Sequence, residues 1–146
     1  MSTDATQPVS VGPQRPLPTV AEPDTRAFWL ATKNHELTYQ VCNWCGGLVF
    51  YPRSHCTHCL SAELTVKTSQ GAGAIYTFTV IRQHGDPFFR QQLPYVVALV
   101  DLDEGFRIFA EVATDTETVR VGARVSLDWE DHDQVAIPIF RVVTDA

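Results

Sequence analysis

Cys42, Cys45, Cys56 and Cys59 are the only cysteines in this chain of 146 residues, and they form two Cys-x-x-Cys pairs separated by ten residues. A Cys-x-x-Cys turn sets two thiolates about one tetrahedral edge apart. A second such turn across a hairpin completes a four-sulfur cage that suits zinc or iron. Two disulfides are the other use of four cysteines, and they belong to secreted chains with a signal peptide. The opening stretch MSTDATQPVSVGPQRPLPTVAEP holds no apolar run of the secretory kind. The longest apolar-rich stretch, Tyr95 to Leu102, is far too short to cross a bilayer. The expectation is a cytoplasmic protein with no membrane span whose cysteines hold Zn(2+), with iron left open.

That cage restricts the chemistry available. Four thiolates leave no coordination position for water or substrate, which marks a structural site, and no thiol is left over for acyl transfer. His55 and His58 lie beside the ligands, but the cage is full without them. No GxSxG, HExxH or GxxxxGK[ST] pattern occurs, and Gly71-x-Gly73 precedes a strand where a phosphate-cradling helix would have to begin. Two other groups of polar residues come into view. His84 and Asp86, in Arg82-Gln83-His84-Gly85-Asp86-Pro87, have the residue types for acid–base work, and as turn residues they have a simpler use. The run Glu130-Asp131-His132-Asp133 reads as a solvated hairpin tip.

Charge narrows the partners. The net charge is -6, with 45% hydrophobic and 19% charged residues, values of a soluble globular chain. The surplus lies wholly in residues 68–146, where six basic residues face twelve acidic ones, giving 6 − 12 = −6. Phosphate-backbone binding needs clustered Lys and Arg, so nucleic acid is not an expected partner.

The elements that must position the cysteines can be read along the chain. Residues 1–22 form a proline-rich arm with little to bury, read as flexible or as a strap for a partner. Residues 23–36 read as a helix: Pro23 suits a first turn, Glu22 and Asp24 favour its N-terminus, and Phe28 and Ala31 share one stripe. Trp29 falls off that stripe and is either packed on the ribbon or exposed for a partner. Residues 37–66 read as the metal ribbon, with strands Leu37–Val41 and Leu48–Tyr51 around Gly46-Gly47. Residues 67–146 read as a barrel domain, with strands at Ile75–Ile81, Tyr95–Leu102, Phe106–Val112, Ala123–Glu130 and Val135–Val143. Pro138 in the last strand points to an edge or a bulge. The fold class is mainly β: an N-terminal helix and rubredoxin-like zinc ribbon, then a five-stranded OB-type barrel. Phe88 and Phe89 lie in the connection Asp86–Pro94. If that connection is extended they face opposite ways, leaving one of them exposed or under a loop.

The order of these segments resembles a known family. Phe28-Trp29, CNWCGGLVFYPRSHCTHC, GAGAIYTFTVI, PYVVALVDLDEG and VGARVSLDWE are similar to the acyl-CoA-associated OB-fold proteins with an N-terminal rubredoxin-like zinc ribbon, long catalogued as a domain of unknown function. The likeness covers roughly residues 16–143. It implies a partner: members accompany thiolases, acyltransferases and the lipid-transfer-protein-type aldolases that shorten steroid side chains, and others are fused to hydratases. It implies that the thiolase-like subunit carries the nucleophile while this chain supplies interface near the acyl-CoA. The expected function is a non-catalytic accessory subunit, with Phe28, Trp29, Arg53, Phe88 and Phe89 as candidate partner or ligand surface. A nucleic-acid module and a stand-alone enzyme using His84 and Asp86 are the competing readings.

Overall fold

In the computed structural model, which describes residues 12–144, α1 (Pro23–Thr32) begins on Pro23 and carries Asp24 in its first turn. It ends short of residue 36, because the chain turns at His35 with φ 59° and sends Leu37 into full burial. The helix is fixed to the barrel through Thr32. Its hydroxyl donates to Trp29 O at 2.5 Å and accepts the Ala136 N–H at 3.0 Å. A buried hydroxyl with both roles filled costs little to desolvate.

Next come β1 (Thr38–Cys42), β2 (Leu48–Val49) and β3 (Leu64–Thr68), an antiparallel sheet in the order β2-β1-β3. The ribbon extends beyond residue 66, since Thr68 pairs with Thr38. The barrel follows, made of β4 (Ala72–Ile81), β5 (Tyr95–Leu102), β6 (Arg107–Ala113), β7 (Arg124–Asp131) and β8 (Ala136–Val142), with α2 (Pro87–Gln92) between β4 and β5. Its strands close in the order β4-β5-β6-β8-β7, which returns to β4. Inward-facing Ile75, Val96, Val100, Ile108, Val125 and Phe140 fill it. This is the closed five-stranded barrel that the strand count implied. No helix among the described residues is long and apolar enough to cross a membrane.

Pro138 is neither at an edge nor in a bulge. His132 N–H donates to Val135 O and Val143 N–H to Arg124 O, so odd-numbered residues of β8 bond to β7. The nitrogen of Pro138 therefore faces β6, where the parallel register begins only at Ile139. The missing donor falls where the ladder starts, and the closed barrel tolerates it.

The Asp86–Pro94 connection also differs from the extended segment expected. Asp86 Oδ1 accepts the Phe88 N–H at 2.8 Å, and Pro87 sits at the first helical position, so a short helix forms. In a helix, adjacent residues are about 100° apart rather than opposed, so Phe88 and Phe89 both lie half-buried on one side.

Helix, ribbon and barrel meet in an aromatic seam. Phe28 packs edge-on to Phe50 at 5.8 Å, Phe50 lies 4.8 Å from Phe106, and Tyr39 stacks on Phe106 at 4.8 Å. Phe28 is 6% exposed, so it belongs to the core and is not the surface residue expected from the sequence. The glycine pair at the start of β4 has a packing role. A Cβ on Gly73 would stand 2.4 Å from Asp101 O. Gly71 has φ +77°, and a Cβ there would stand 2.6 Å from Leu127 Cβ. Gly73→Ala should therefore push β4 from β5 and lower stability by about 1–3 kcal/mol. Thermal or urea unfolding measures this, and Gly85→Ala, where nothing lies within 4 Å, serves as the neutral comparison.

Candidate metal centre

The two cysteine turns have the same local design. In the first, Gly46 N–H donates to Cys42 O at 2.9 Å, and Gly46 takes φ +74°. In the second, Leu60 N–H donates to Cys56 O at 3.0 Å, and Leu60 takes φ 69°. A glycine marks the first turn in the sequence. Nothing marks the second, because a leucine accepts the left-handed conformation there at a cost.

These turns bring all four sulfurs within 4.8 Å of one another. Cys42 Sγ is 3.6 Å from Cys59 Sγ, and Cys45 Sγ is 3.7 Å from Cys56 Sγ. A tetrahedral ion with bonds near 2.3 Å to sulfur needs edges of about 3.8 Å, so the thiols are positioned for a metal ion. Backbone donors surround them: Gly47 N–H points to Cys45 Sγ at 3.4 Å and His58 N–H to Cys56 Sγ at 3.3 Å.

The thiols are electrostatically unequal. N–H groups of Cys45 and Trp44 outweigh burial and pull the Cys42 thiol down to about 6. At Cys59 the Ser61 N–H favours the thiolate, yet burial and the three neighbouring sulfurs prevail and push it up to about 12. One negative charge is welcome in this cage and a full set is not, unless a cation joins them.

The remaining candidates separate clearly. His58 Nε2 lies 3.1 Å from Leu48 O, a contact that buttresses the hairpin, and His55 Nδ1 lies 3.0 Å from Ser54 Oγ. Arg53 is exposed, and its backbone N–H and C=O both bond to the Gln40 amide at 2.9 Å. Trp29 is half-buried, edge-on to Phe28 at 5.0 Å. His84 Nδ1 accepts the Asp86 N–H at 2.9 Å while the Asp86 carboxylate caps α2, so both residues serve the local turn. The acidic run is not simply solvated. Asp131 pairs with His35 at 2.6 Å, and Glu130 Oε2 pairs with His132 Nε2 at 2.8 Å.

Two features escaped the sequence reading. Trp44 and Leu60, at the tips of the two turns, are 82% and 77% exposed. The signal for Trp44 was its position between two ligating cysteines, where a large side chain has no core to enter. The other feature is Arg15. The arm is not free along its described part (residues 1–11 lie outside the described residues), because this side chain is 8% exposed and clamped by two carboxylates. Its Nη1 and Nη2 donate to Glu111 at 2.7 and 3.1 Å, and its Nε stands 2.5 Å from Glu130 Oε2. The guanidinium lies 4.8 Å over the Phe88 ring and 5.3 Å over that of Phe89. Burial opposes the Arg15 charge, but the bonds and fields of Glu111 and Glu130 more than offset it and raise its pKa. At Glu130 burial is likewise overcome, by His132 and Arg15, and the carboxyl is held below its ordinary 4.5.

Comparison with known proteins agrees with this geometry. Residues 29–65 match the rubredoxin-like zinc ribbon domain of ChsH2, and residues 66–130 match the C-terminal OB-fold domain of ChsH2. A DUF35 domain-containing scaffold protein of Methanothermobacter thermautotrophicus is 31% identical over 97 residues, which cover 65% of this chain and 72% of that one. The chain belongs to the DUF35 family. A solved DUF35 structure, the Ltp2-ChsH2(DUF35) aldolase, superposes with a TM-score of 0.76 at 32% identity, covering 88% of this chain and 98% of that chain. A probable enoyl-CoA hydratase alpha subunit of Thermomonospora curvata is 35% identical over 130 residues, 87% of this chain, and this chain spans only 40% of its length. The benzoylsuccinyl-CoA thiolase subunit BbsA of Geobacter metallireducens is 34% identical over 89 residues, 59% of this chain and 56% of that one.

Two outcomes follow for this DUF35 chain. Cys42→Ser or Cys59→Ser should abolish binding of about one metal ion per chain and unfold the ribbon while β4–β8 persist, because ribbon folding is coupled to the ion. Elemental analysis and amide exchange read the two parts separately. Arg15→Gln should loosen the arm by about 1–3 kcal/mol at neutral pH. Since Glu130 has its pKa lowered from 4.5, its share of the clamp is complete above pH 4.5 and is lost as pH falls through the depressed value. In acid, the NMR shifts of the wild-type Phe88 and Phe89 rings should then move part of the way toward those of the variant.

Proposed function

We propose that this chain is a zinc-binding, non-catalytic accessory subunit of a thiolase-like or lipid-transfer-protein-type enzyme acting on acyl-CoA. The observation that carries the reading is the closed four-thiol cage in a chain of this family. All four cysteines face one another, so none is placed to form a thioester, and a four-coordinate ion would have no open position for substrate. Zinc is the ion favoured, since a rubredoxin-like ribbon with four thiolates is a common structural zinc site and needs no redox chemistry.

The names of relatives support the partner class. One is a thiolase subunit, one belongs to an aldolase together with Ltp2, and others are scaffold proteins. A 3-oxo-4,17-pregnadiene-20-carboxyl-CoA hydratase alpha subunit of Mycobacterium tuberculosis, 31% identical over 109 residues, suggests a steroid side chain as one acyl group to try. On this reading the reaction is thiolysis, condensation or retro-aldol cleavage, carried out on the partner in the cytoplasm. Trp44, Leu60, Arg53 and the Arg15-held Phe88 and Phe89 form the surfaces open to it. Interfaces concentrate their energy in such aromatic anchors.

The test is reconstitution. The chain alone should leave acyl-CoA esters unchanged, whereas co-expression with a thiolase-like protein should give a stable, active complex with zinc. Trp44→Ala should weaken that complex by about 2 kcal/mol and leave the metal content unchanged. Turnover by the isolated chain, abolished by His84→Ala or Asp86→Ala, would refute the accessory role.

A further inference from the structure

The ribbon sheet has an open side. Asn43 N–H donates to Glu63 O at 2.7 Å and Ser69 N–H to Leu37 O at 2.8 Å, with an unbroken antiparallel register between them. Odd-numbered residues of β3 therefore bond to β1. Backbone groups alternate along a strand, so the N–H and C=O of Val66 and Thr68 point away from the sheet. The order β2-β1-β3 leaves β3 outermost, and among the described residues no strand covers that edge. Val66 is 61% exposed. Folded proteins usually protect such an edge, and a bare one is a template for another chain.

Beside the edge lies a hollow of about 290 Å³ between α1 and the face of the sheet that carries Val66 and Thr68. Ala27 and Ala31 of α1 make the room with their small side chains, and the edge of the buried Phe28 forms part of the floor. Among the described residues, the charged ones lining it are Asp24 and Glu36, both acidic.

We propose that an extended, basic segment of the thiolase-like partner adds to β3 as a fourth strand and lays an apolar side chain in this hollow. The proposal rests on the accessory-subunit reading and names where the partner grips. Donors and acceptors in alternation match only another extended backbone. Side chains of an added strand also alternate, so an apolar residue opposite Val66 and a Lys or Arg two positions away share the face that carries Asp24 and Glu36. A second copy of this chain fits less well. The basic residue of its β3, Lys67, is on the face opposite Val66 and brings no positive charge to the hollow.

Amide exchange in the complex with the co-expressed thiolase-like subunit tests this. The Val66 and Thr68 amides should exchange rapidly in the free chain and at least roughly tenfold more slowly in the complex. Val66→Pro removes an N–H that β1 does not use, so the ribbon should keep its metal while partner affinity drops about tenfold. Glu36→Lys should weaken the complex in the same direction without touching the strand, which guards against a misfolded proline variant. An intact complex in which both amides stay fast would overturn the strand addition and leave the accessory role standing. A dimer of the chain alone that Val66→Pro dissociates would assign the edge to a second copy and overturn it too. Failure of the wild-type chain to join any thiolase-like subunit would remove the accessory role and this proposal together.

Discussion

Four sulfurs within 4.8 Å of one another impose the constraint on which the first half of this molecule rests. Thiolates repel, and at Cys59 the neighbouring sulfurs oppose the charged form, while backbone N–H groups favour it at Cys42. A divalent ion converts that repulsion into attraction, and the ribbon has little else to hold it. β2 has only two residues, and the buried cluster around the cage consists of Cys42, Val49 and Cys56. A bound ion would therefore couple to the folding of β1 and β2.

From the cage the consequences spread through the aromatic seam. β1 presents Tyr39, and the chain leaving β2 presents Phe50, so both rings reach Phe106 only while the hairpin is formed. Phe28 reaches Phe50 and carries α1 with it, and Thr32 ties the far end of that helix to the start of β8. The barrel closes on itself without strands from the ribbon. Cage, seam and barrel thus form a chain of contacts through which an ion in the cage would fix the ribbon and α1, and hence the groove between them.

The two surfaces with aromatic or open character owe their existence to different physics. Trp44 and Leu60 are exposed because they occupy the tips of ligand turns, where the backbone is committed to sulfur. Phe88 and Phe89 are held by a cation drawn from the arm. Arg15 is almost wholly buried, which is costly for a guanidinium, and two carboxylates with two rings compensate for the lost water. That clamp draws on the acidic surplus of residues 68–146, giving part of the net charge a structural use.

The metal cage was legible in the sequence because ligand spacing is local: Cys-x-x-Cys twice, with few residues between, constrains geometry by itself. The barrel strands were legible because Tyr95–Leu102 is a short run apolar on both faces and Arg124–Asp131 alternates, whatever lies next to them. The sequence failed wherever the deciding partner is far along the chain. Phe28 looked like a surface aromatic, but Phe50 packs against it from the ribbon and leaves it 6% exposed. Pro138 looked like an edge residue until the β6 register was seen to start one residue later. Arg15 meets Glu111 across 96 positions, and no local pattern reports such a pairing. Composition and spacing determined the barrel strands, the N-terminal helix and which residues form the cage, since those follow from neighbouring residues. Tertiary structure alone decided which aromatics are buried, what the arm grips and which strand is left open, because each depends on contacts between segments distant in sequence.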